Sequence, residues 1–335
     1  MNNLSDHTKI AEGLFDFNIS GFDAKALEVF RFQVRYNAVY QQYVNLLGID
    51  ADQVRKLTDI PFLPVGFFKS QKVVCGEFEP QAVFESSGTT GSVNSRHYVK
   101  ELALYRESFM QGFRKFYGEP RDWCIIGLLP SYLERQNSSL VFMVDALIRE
   151  SRISESGFYL YEYDALHSLL RQLERRGQKT LLIGVTFALL DFAEKHSMQL
   201  EHTVVMETGG MKGRREELTR EQVHHLLTTK LGIKKVHSEY GMTELLSQGY
   251  SKGDGIFHCS DTMKILVREE DDPLKVHDAG EHERRGIINV IDLANIYSCS
   301  FIATEDAGKL YPDGSFEVTG RVDNSDIRGC TLMVV

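Results

Sequence analysis

The chain has 335 residues, of which 42% are hydrophobic and 25% charged, an ordinary composition for a globular protein large enough for two lobes. Its net charge of −9 argues against a nucleic-acid partner, and no apolar run approaches the roughly 18 residues that suggest a membrane span. The five cysteines lack C-x-x-C spacing, and the N-terminal residues lack a secretory pattern. We therefore expect a cytoplasmic protein without a disulfide framework or a zinc site.

The first third of the chain combines helical spacing with proline breaks. Apolar residues recur at helical spacing over 24–58, and Pro61 and Pro64 then force an extended chain. The stretches 73–79 and 81–87 resemble short strands, and a helix is expected over 99–118.

The middle of the chain alternates short apolar strands with helices, which favours an α/β fold with a substantially parallel sheet. Ligands in such sheets gather beyond the carboxyl ends of the strands. From Phe257 onward the pattern is rich in strands and predicts a smaller β-rich portion. Strands are predicted within 123–130, 180–196, 202–210 and 234–244, and helices within 138–150, 180–196 and 212–232.

The string SSGTTG, residues 86–91, is the most informative feature of the chain. Glycine allows a tight turn and a close approach of the backbone to a ligand. Successive backbone N–H groups in such a turn form an anion-binding concavity, to which hydroxyls add donors. The string predicts a phosphate cradle, and the alternative is a polar turn between two strands. It is not a Walker A loop, because the spacing and lysine of that motif are absent.

Two segments in the middle of the chain contain residue types that suit a nucleotide. In TGGMKG, Gly209 and Gly210 would let a flat ring lie against the backbone; the alternative is a plain strand-to-helix turn. In SEYGMTE, Tyr240 could stack on a base, Thr243 could donate to a phosphate and Glu244 could hold Mg²⁺. The alternative for this segment is a surface turn with a helix-capping threonine.

Two later segments carry acidic and basic residues in turns. Asp306 in ATEDAG could accept two ribose hydroxyls, and the alternative is a solvated acidic turn. Arg321 in TGRVDNSDIRGC could pair with a phosphate, and the alternative is a surface arginine.

Together and in this order, the five segments resemble the motif series of the adenylate-forming enzymes. The chain is most similar to the acyl-protein synthetases of bacterial bioluminescence (long-chain-fatty-acid protein ligases), which IPFLPVGFFK, LLPSYLER and ETGGMKGRR also resemble. The resemblance implies an α/β fold with a large adenylate-forming domain over 1–318 and a β-rich subdomain within it. A hinge-like segment and an acyl-acceptor tail would occupy 319–335, without the usual C-terminal domain of the ligases.

The resemblance also implies an activity. A carboxylic acid, of the fatty-acid class, would react with ATP in the presence of Mg²⁺ to give acyl-AMP. The acyl group would pass to Cys330 as a thioester and then to a partner such as an acyl reductase or an acyl-carrier protein. Aryl acids remain an alternative substrate class. The alternative activities are an acyl- or aryl-CoA or acyl-carrier ligase of the phenylacetate-CoA-ligase type, and a non-catalytic nucleotide-binding subunit.

Carried over to this sequence, the resemblance assigns a catalytic set and a nucleotide-binding set. Thr243 would touch the α-phosphate, Glu244 would bind Mg²⁺, Arg321 would contact ribose or phosphate, and Cys330 would carry the acyl group. The nucleotide would be held by Ser86, Ser87, Gly88, Thr89, Thr90 and Gly91 at the β- and γ-phosphates, Gly209, Gly210, Tyr240 and Gly241 at the adenine, and Asp306 at the ribose.

The chain departs from the superfamily pattern at several positions. Asn94 stands about where a lysine usually follows the cradle, with Arg96 or His97 as candidate replacements for its charge. Glu305 stands where glycine is more usual, and Lys212 is a candidate for the cation of the absent domain. His237 is a weak candidate for contact with the acyl group. An acyl pocket or ordinary core is expected around Phe187, Leu189 and Leu190.

Overall fold

The chain divides into two units that are built differently. The first unit comprises Met1–Gly112, Met242–Gln248 and Cys259–Val318, and the second comprises Phe113–Gly241, Gly249–His258 and Thr319–Val335. The computed structural model describes residues 9–15, 21–86, 93–130, 137–209 and 218–322.

Helices and strands are numbered in chain order. The α-helices are α1 (Phe22–Tyr36), α2 (Ala38–Leu46), α3 (Phe67–Ser70), α4 (Leu102–Tyr117), α5 (Ser139–Glu150), α6 (Tyr163–Arg175), α7 (Thr186–Lys195) and α8 (Arg220–Leu231). The strands are β1 (Leu63–Pro64), β2 (Ala82–Glu85), β3 (Arg96–Val99), β4 (Cys124–Leu128), β5 (Gly157–Tyr159), β6 (Thr180–Gly184), β7 (Thr203–Glu207), β8 (His237–Tyr240), β9 (Gly249–Ser251), β10 (Ile256–Cys259), β11 (Met263–Arg268), β12 (Val276–His277), β13 (Arg284–Asp292), β14 (Phe301–Leu310) and β15 (Phe316–Arg321).

The second unit contains the parallel sheet that the alternating pattern predicts. Its strand order is β10-β9-β8-β7-β6-β4-β5, and the pairs from β5 through β8 are parallel. Strands β4 and β6 are buried along their whole length. Such strands are covered on both faces, so their sequences are continuous apolar runs rather than alternating patterns.

The first unit contains an antiparallel sheet in the order β12-β11-β13-β14-β15, with the short β1 parallel to β14. A separate hairpin is formed by β2 and β3. The register between β13 and β14 shifts, because Ile287 pairs with Ala307 whereas Asn289 pairs with Ala303. Three residues of β14, 304–306, therefore stand opposite the single residue Ile288 and form a bulge.

Several local predictions are wrong. The helical stretch 24–58 is broken at Asn37, whose extended backbone ends α1 and whose side chain accepts a hydrogen bond from the Tyr40 N–H to cap α2. The stretch 73–79 is not a strand: the Cys75 N–H donates to the Tyr297 carbonyl and the Gly76 N–H to the Tyr36 carbonyl, which are loop contacts. Helix α8 lies within the predicted range 212–232, of which residues 212–217 are outside the described residues, whereas helix α6 was not predicted. Among the described helices, none has the length and apolarity needed to cross a bilayer.

Candidate active site

Ser86 begins the predicted phosphate cradle at the end of strand β2. Its backbone N–H donates to the Ser95 carbonyl at 3.1 Å, and its hydroxyl accepts from the Ser95 N–H at 2.9 Å. The β2–β3 hairpin therefore fixes both ends of the segment that contains SSGTTG. The cradle residues Ser87, Gly88, Thr89, Thr90 and Gly91 lie outside the described residues.

His97 on β3 joins this hairpin to the turn that contains Thr243 and Glu244. Its Nδ1 lies 2.9 Å from the Thr243 carbonyl oxygen, and its Nε2 lies 2.9 Å from Oδ1 of Asn295. Burial lowers the pKa of His97 to about 4, although both contacts act to raise it. The ring is neutral near pH 7 and both nitrogens face protein atoms, so the suggestion that His97 replaces the missing lysine charge is wrong. Arg96 is the other candidate for replacing that charge, and its Nε lies 3.6 Å from Oε1 of Glu85 across the hairpin.

The turn around Glu244 is held by side chains that the sequence did not single out. Asn295 donates from Nδ2 to the Glu244 carbonyl at 2.7 Å. Asp292 accepts from the backbone N–H groups of Leu246 at 2.6 Å and Ser247 at 3.1 Å. Glu244 itself is 4% exposed. These contacts fix the backbone on both sides of the carboxylate that is predicted to bind metal.

Gly209 lies in a closed set of hydrogen bonds at the carboxyl end of β7. Its N–H donates to Oε2 of Glu207 at 2.8 Å, and its carbonyl accepts from the Thr186 N–H at 3.3 Å. The Thr186 hydroxyl donates to the same Oε2 at 2.9 Å. Gly209 has φ of +73°, a conformation that favours glycine, and a Cβ added there would meet no atom of the described residues within 4 Å. The flat ring is predicted to lie against this part of the backbone.

Glu207 has unusual electrostatics for a buried carboxylate. Burial acts to raise its pKa, but His224, Ser238 and the Gly209 N–H outweigh burial and hold the pKa below its usual range. Nε2 of His224 lies 3.9 Å from Oε1 of Glu207. The signal that could have revealed this residue is its position as the last residue of an apolar strand.

Two titratable residues of β8 face the same side of the strand. Burial, with Lys252 and Lys235, lowers the pKa of His237 to about 4, and its Nδ1 lies 3.1 Å from the Tyr117 hydroxyl. Burial and then the Glu207 charge raise the pKa of Glu239 to about 8. Near pH 7 both residues are therefore neutral. His237 packs against the Tyr117 ring, which gives it a partner within the protein.

Tyr240 ends β8 in the second unit, and Gly241 follows it. Tyr240 is 9% exposed, and its ring makes an edge contact with Phe257 at a centroid distance of 6.0 Å. Gly241 is exposed. Register places Ser238 opposite Glu207, so the Tyr240 and Gly209 segments follow neighbouring parallel strands.

Asp306 lies within the bulge of β14 and is 8% exposed. Its N–H donates to the Thr304 hydroxyl at 3.1 Å, and Thr304 donates to the Ile288 carbonyl at 2.8 Å. Arg321 ends β15 and is half-buried. Asp306, which is predicted to bind the ribose, thus lies in an irregular strand rather than in an acidic surface turn.

Phe187, Leu189 and Leu190 are at most 1% exposed in α7, so the ordinary-core alternative describes them. Gly210, Lys212 and Cys330 lie outside the described residues, and their roles stay predictions.

The fold is shared with solved adenylate-forming ligases. The structure resembles 2-hydroxyisobutyryl-CoA ligase in an open conformation with 2-HIB-AMP and CoA (TM-score 0.65, 13% identity, 90% of this chain and 70% of that chain). It also resembles the same ligase in the postadenylation state with R3-HIB-AMP (TM-score 0.59, 12% identity, 90% and 68%). At these identities the likeness shows the fold alone. A search of curated proteins returned no significant match.

The family model "Acyl-protein synthetase, LuxE" matches residues 18–335. The chain therefore belongs to the LuxE acyl-protein synthetase family, as the motif series predicts. It is an AMP-forming ligase that activates a carboxylic acid.

Proposed function

We propose that this enzyme adenylates a fatty acid with ATP and then carries the acyl group on Cys330. The observation that carries the proposal is the family match, which spans both SSGTTG and the C-terminal cysteine. The solved ligase complexes, which hold an acyl-adenylate on the same fold, support the first half-reaction. We also propose that residues 1–318 perform the adenylation and that 319–335 form a hinge-like segment and acceptor tail.

In the first half-reaction a carboxylate oxygen attacks the α-phosphorus of ATP. A new P–O bond forms, the bond to the β-phosphate oxygen breaks, and pyrophosphate leaves. Catalysis of such a transfer is mainly positioning and charge neutralisation. Ser86 with the cradle residues after it would hold the leaving phosphates, and Thr243 would donate to the α-phosphate. Gly209 and Tyr240 would line the adenine, Asp306 would hold the ribose hydroxyls, and Arg321 would contact ribose or phosphate.

The residues present fit a Mg²⁺ ion that is completed by the nucleotide. In the described part of the chain, no cluster of three or more His, Cys, Asp or Glu side chains forms a metal site. Mg²⁺ commonly takes one or two carboxylates together with phosphate oxygens and water. Glu244, with its backbone fixed by Asn295, is the carboxylate we assign. The ion would neutralise phosphate charge.

In the second half-reaction the Cys330 thiolate attacks the acyl carbon of the adenylate. A C–S bond forms, the C–O bond to the phosphate breaks, and AMP leaves. The thiolate is the reactive form, and an ordinary cysteine has a pKa of about 8.5. We therefore expect self-acylation to accelerate between neutral and mildly alkaline pH. The thioester would then serve an acyl reductase or an acyl carrier protein. The free thiols of Cys75, Cys124 and Cys299 fit the reducing cytoplasm that we expect.

The test is the intact mass of the protein after incubation with ATP, Mg²⁺ and a panel of fatty acids and phenylacetate. We expect an ATP-dependent acyl adduct that hydroxylamine removes. Cys330→Ser should abolish it, whereas Cys259→Ser, which changes a half-buried thiol on β10, should keep it. An adduct that persists in Cys330→Ser contradicts the acceptor assignment. AMP formation only when CoA or a carrier is supplied indicates the ligase alternative, and ATP binding without AMP indicates the non-catalytic one.

A further inference from the structure

Arg268, the last residue of β11, reaches across the sheet of the first unit to the bulge in β14. Its backbone pairs with Ile287 of β13. One guanidinium nitrogen, Nη1, donates to the Ile288 carbonyl at 3.2 Å and to Oδ1 of Asn289 at 2.6 Å. The other, Nη2, donates to the Thr304 carbonyl at 2.6 Å. A single planar group therefore binds both strands at the point where their register shifts.

The hydrogen bonds continue from this guanidinium to Asp306. Thr304 is fully buried, and its hydroxyl donates to the Ile288 carbonyl at 2.8 Å. The same hydroxyl accepts from the Asp306 N–H at 3.1 Å. Arg268 and Thr304 thus fix both sides of the bulge, and the Thr304 hydroxyl holds the Asp306 backbone. A bulge re-aims side chains that a regular ladder would direct elsewhere.

The charge of Arg268 interacts with Glu305, a residue that departs from the superfamily pattern. Burial lowers the pKa of Arg268, and Tyr43 and then Glu305 only partly offset this effect. Arginine stays protonated in proteins, so the nearby carboxylate stabilises a cation that is half-buried in the sheet. Glu305 stands where glycine is more usual, in the middle of the bulge. Its charge gives that departure a physical reason.

We propose that Arg268 is a positioning residue that holds the bulge in the shape that aims Asp306 at the ribose hydroxyls. The proposal rests on the proposed nucleotide site and adds to it a residue from a different strand. Lysine would not replace it, because an ammonium is a point donor without the planar fork that spans two strands. The alternative is that Arg268 only ties β11, β13 and β14 together.

The ratio of the affinities for ATP and 2′-deoxyATP separates these two roles. A purely structural role changes stability and affects both nucleotides alike. A positioning role acts on the hydroxyl that 2′-deoxyATP lacks. The wild type should prefer ATP over 2′-deoxyATP. We expect Asp306→Asn and Arg268→Gln each to reduce this preference by roughly tenfold, which corresponds to the low end of the range for losing a hydrogen bond to a charged group. The double variant should lose no more than either single variant.

The matched control is Arg285→Gln, which removes an exposed arginine of β13 that pairs with Glu283. We expect it to keep the wild-type ratio. If Arg268→Gln folds poorly, Arg268→Lys is measured instead. This variant should lose part of the preference for ATP over 2′-deoxyATP. Calorimetry gives both dissociation constants without an acid substrate, so the ratio can be measured even if no acid is activated and the proposed function fails.

An unchanged ratio in both Arg268 variants, beside a reduced ratio in Asp306→Asn, would show that Arg268 is only structural. An unchanged ratio in Asp306→Asn would also overturn the proposal, because Arg268 would then have no ribose contact to position.

Discussion

Two buried carboxylates, Asp292 in the first unit and Glu207 in the second, both accept hydrogen bonds from a turn, but their pKa values shift in opposite directions. Each is the last residue of its strand, and each accepts at least one backbone N–H from a turn next to or containing predicted site residues. Asp292 accepts from the N–H groups of Leu246, Ser247 and Ala294 and from the Ser247 hydroxyl. Glu207 accepts from the Gly209 N–H and the Thr186 hydroxyl.

The pKa shifts of the two carboxyl groups differ because their surroundings differ. Burial raises the pKa of Asp292 to about 6 despite its four neutral donors. The pKa of Glu207 stays below its usual range, with His224 as the strongest opposing influence. Asp292 is fully enclosed, whereas Glu207 holds the turn at Gly209. We therefore expect Asp292 to serve mainly stability, and Glu207 to support the turn that is proposed to contact the adenine.

The largest effect is expected from removing the enclosed carboxylate. Asp292→Ala leaves the N–H groups of Leu246, Ser247 and Ala294 buried without their acceptor. A buried unsatisfied polar group costs about 1–3 kcal/mol, so we expect the free energy of unfolding to fall by roughly 3 kcal/mol or more. Denaturant titration measures the change. Because Asp292 also holds the residues after Glu244, AMP formation should fall with it.

The matched control for this variant is Asp271→Ala, which changes an exposed aspartate of the same unit. Surface substitutions usually stay within about 0.5 kcal/mol of the wild type. A loss in Asp292→Ala no larger than in this control would show that the hydrogen bonds of Asp292 contribute little, and the distinction between the two carboxylates would fail.

The turn that Glu207 holds is tested by Gly209→Ala. The added methyl meets no atom of the described residues, so we expect a stability change set by the backbone strain of φ +73°, about 1 kcal/mol. If adenine lies against this backbone, the same methyl obstructs it, and the KM for ATP should rise about tenfold. Gly118→Ala supplies the same strain, since Gly118 has φ of +82° and a Cβ added there likewise meets no atom of the described residues. It should leave KM unchanged. Equal KM values in the two variants would place the adenine elsewhere.

Sequence reasoning found the parts of the molecule that local patterns determine. The continuous apolar runs of β4 and β6 predict buried parallel strands, and both strands are buried and pair in parallel. Gly209 was predicted to follow a strand, and it lies in the turn after β7, whereas its contact with adenine stays a prediction. The break at Asn37 was missed: its side chain caps α2 through the Tyr40 N–H, and it also donates to the Ser298 carbonyl, a distant contact that the neighbouring sequence does not indicate.

The residues that hold the site were missed for the same reason. His97 contacts Thr243, which is 146 positions away in the chain, and Arg268 contacts Thr304, 36 positions away. Nothing in the neighbouring sequence of either residue indicates its partner. The bulge at 304–306 depends on the register between two strands, and an apolar alternation alone does not fix that register.

The smallest effect is expected at Glu239, which lies near Glu207 and has a raised pKa of about 8. In the folded protein this carboxyl keeps its proton up to a pH of about 8, whereas in the unfolded chain it loses the proton near the ordinary glutamate pKa of about 4.3. The folded state therefore binds more protons between these values, and stability falls as the pH rises through this window. Glu239→Gln removes the titration, so we expect it to be more stable than the wild type by about 1–2 kcal/mol at pH 9 and nearly equal at pH 4. Urea unfolding of both proteins across this range gives the difference. A difference that does not grow with pH would mean that Glu239 ionises normally and that Glu207 is not its charged neighbour.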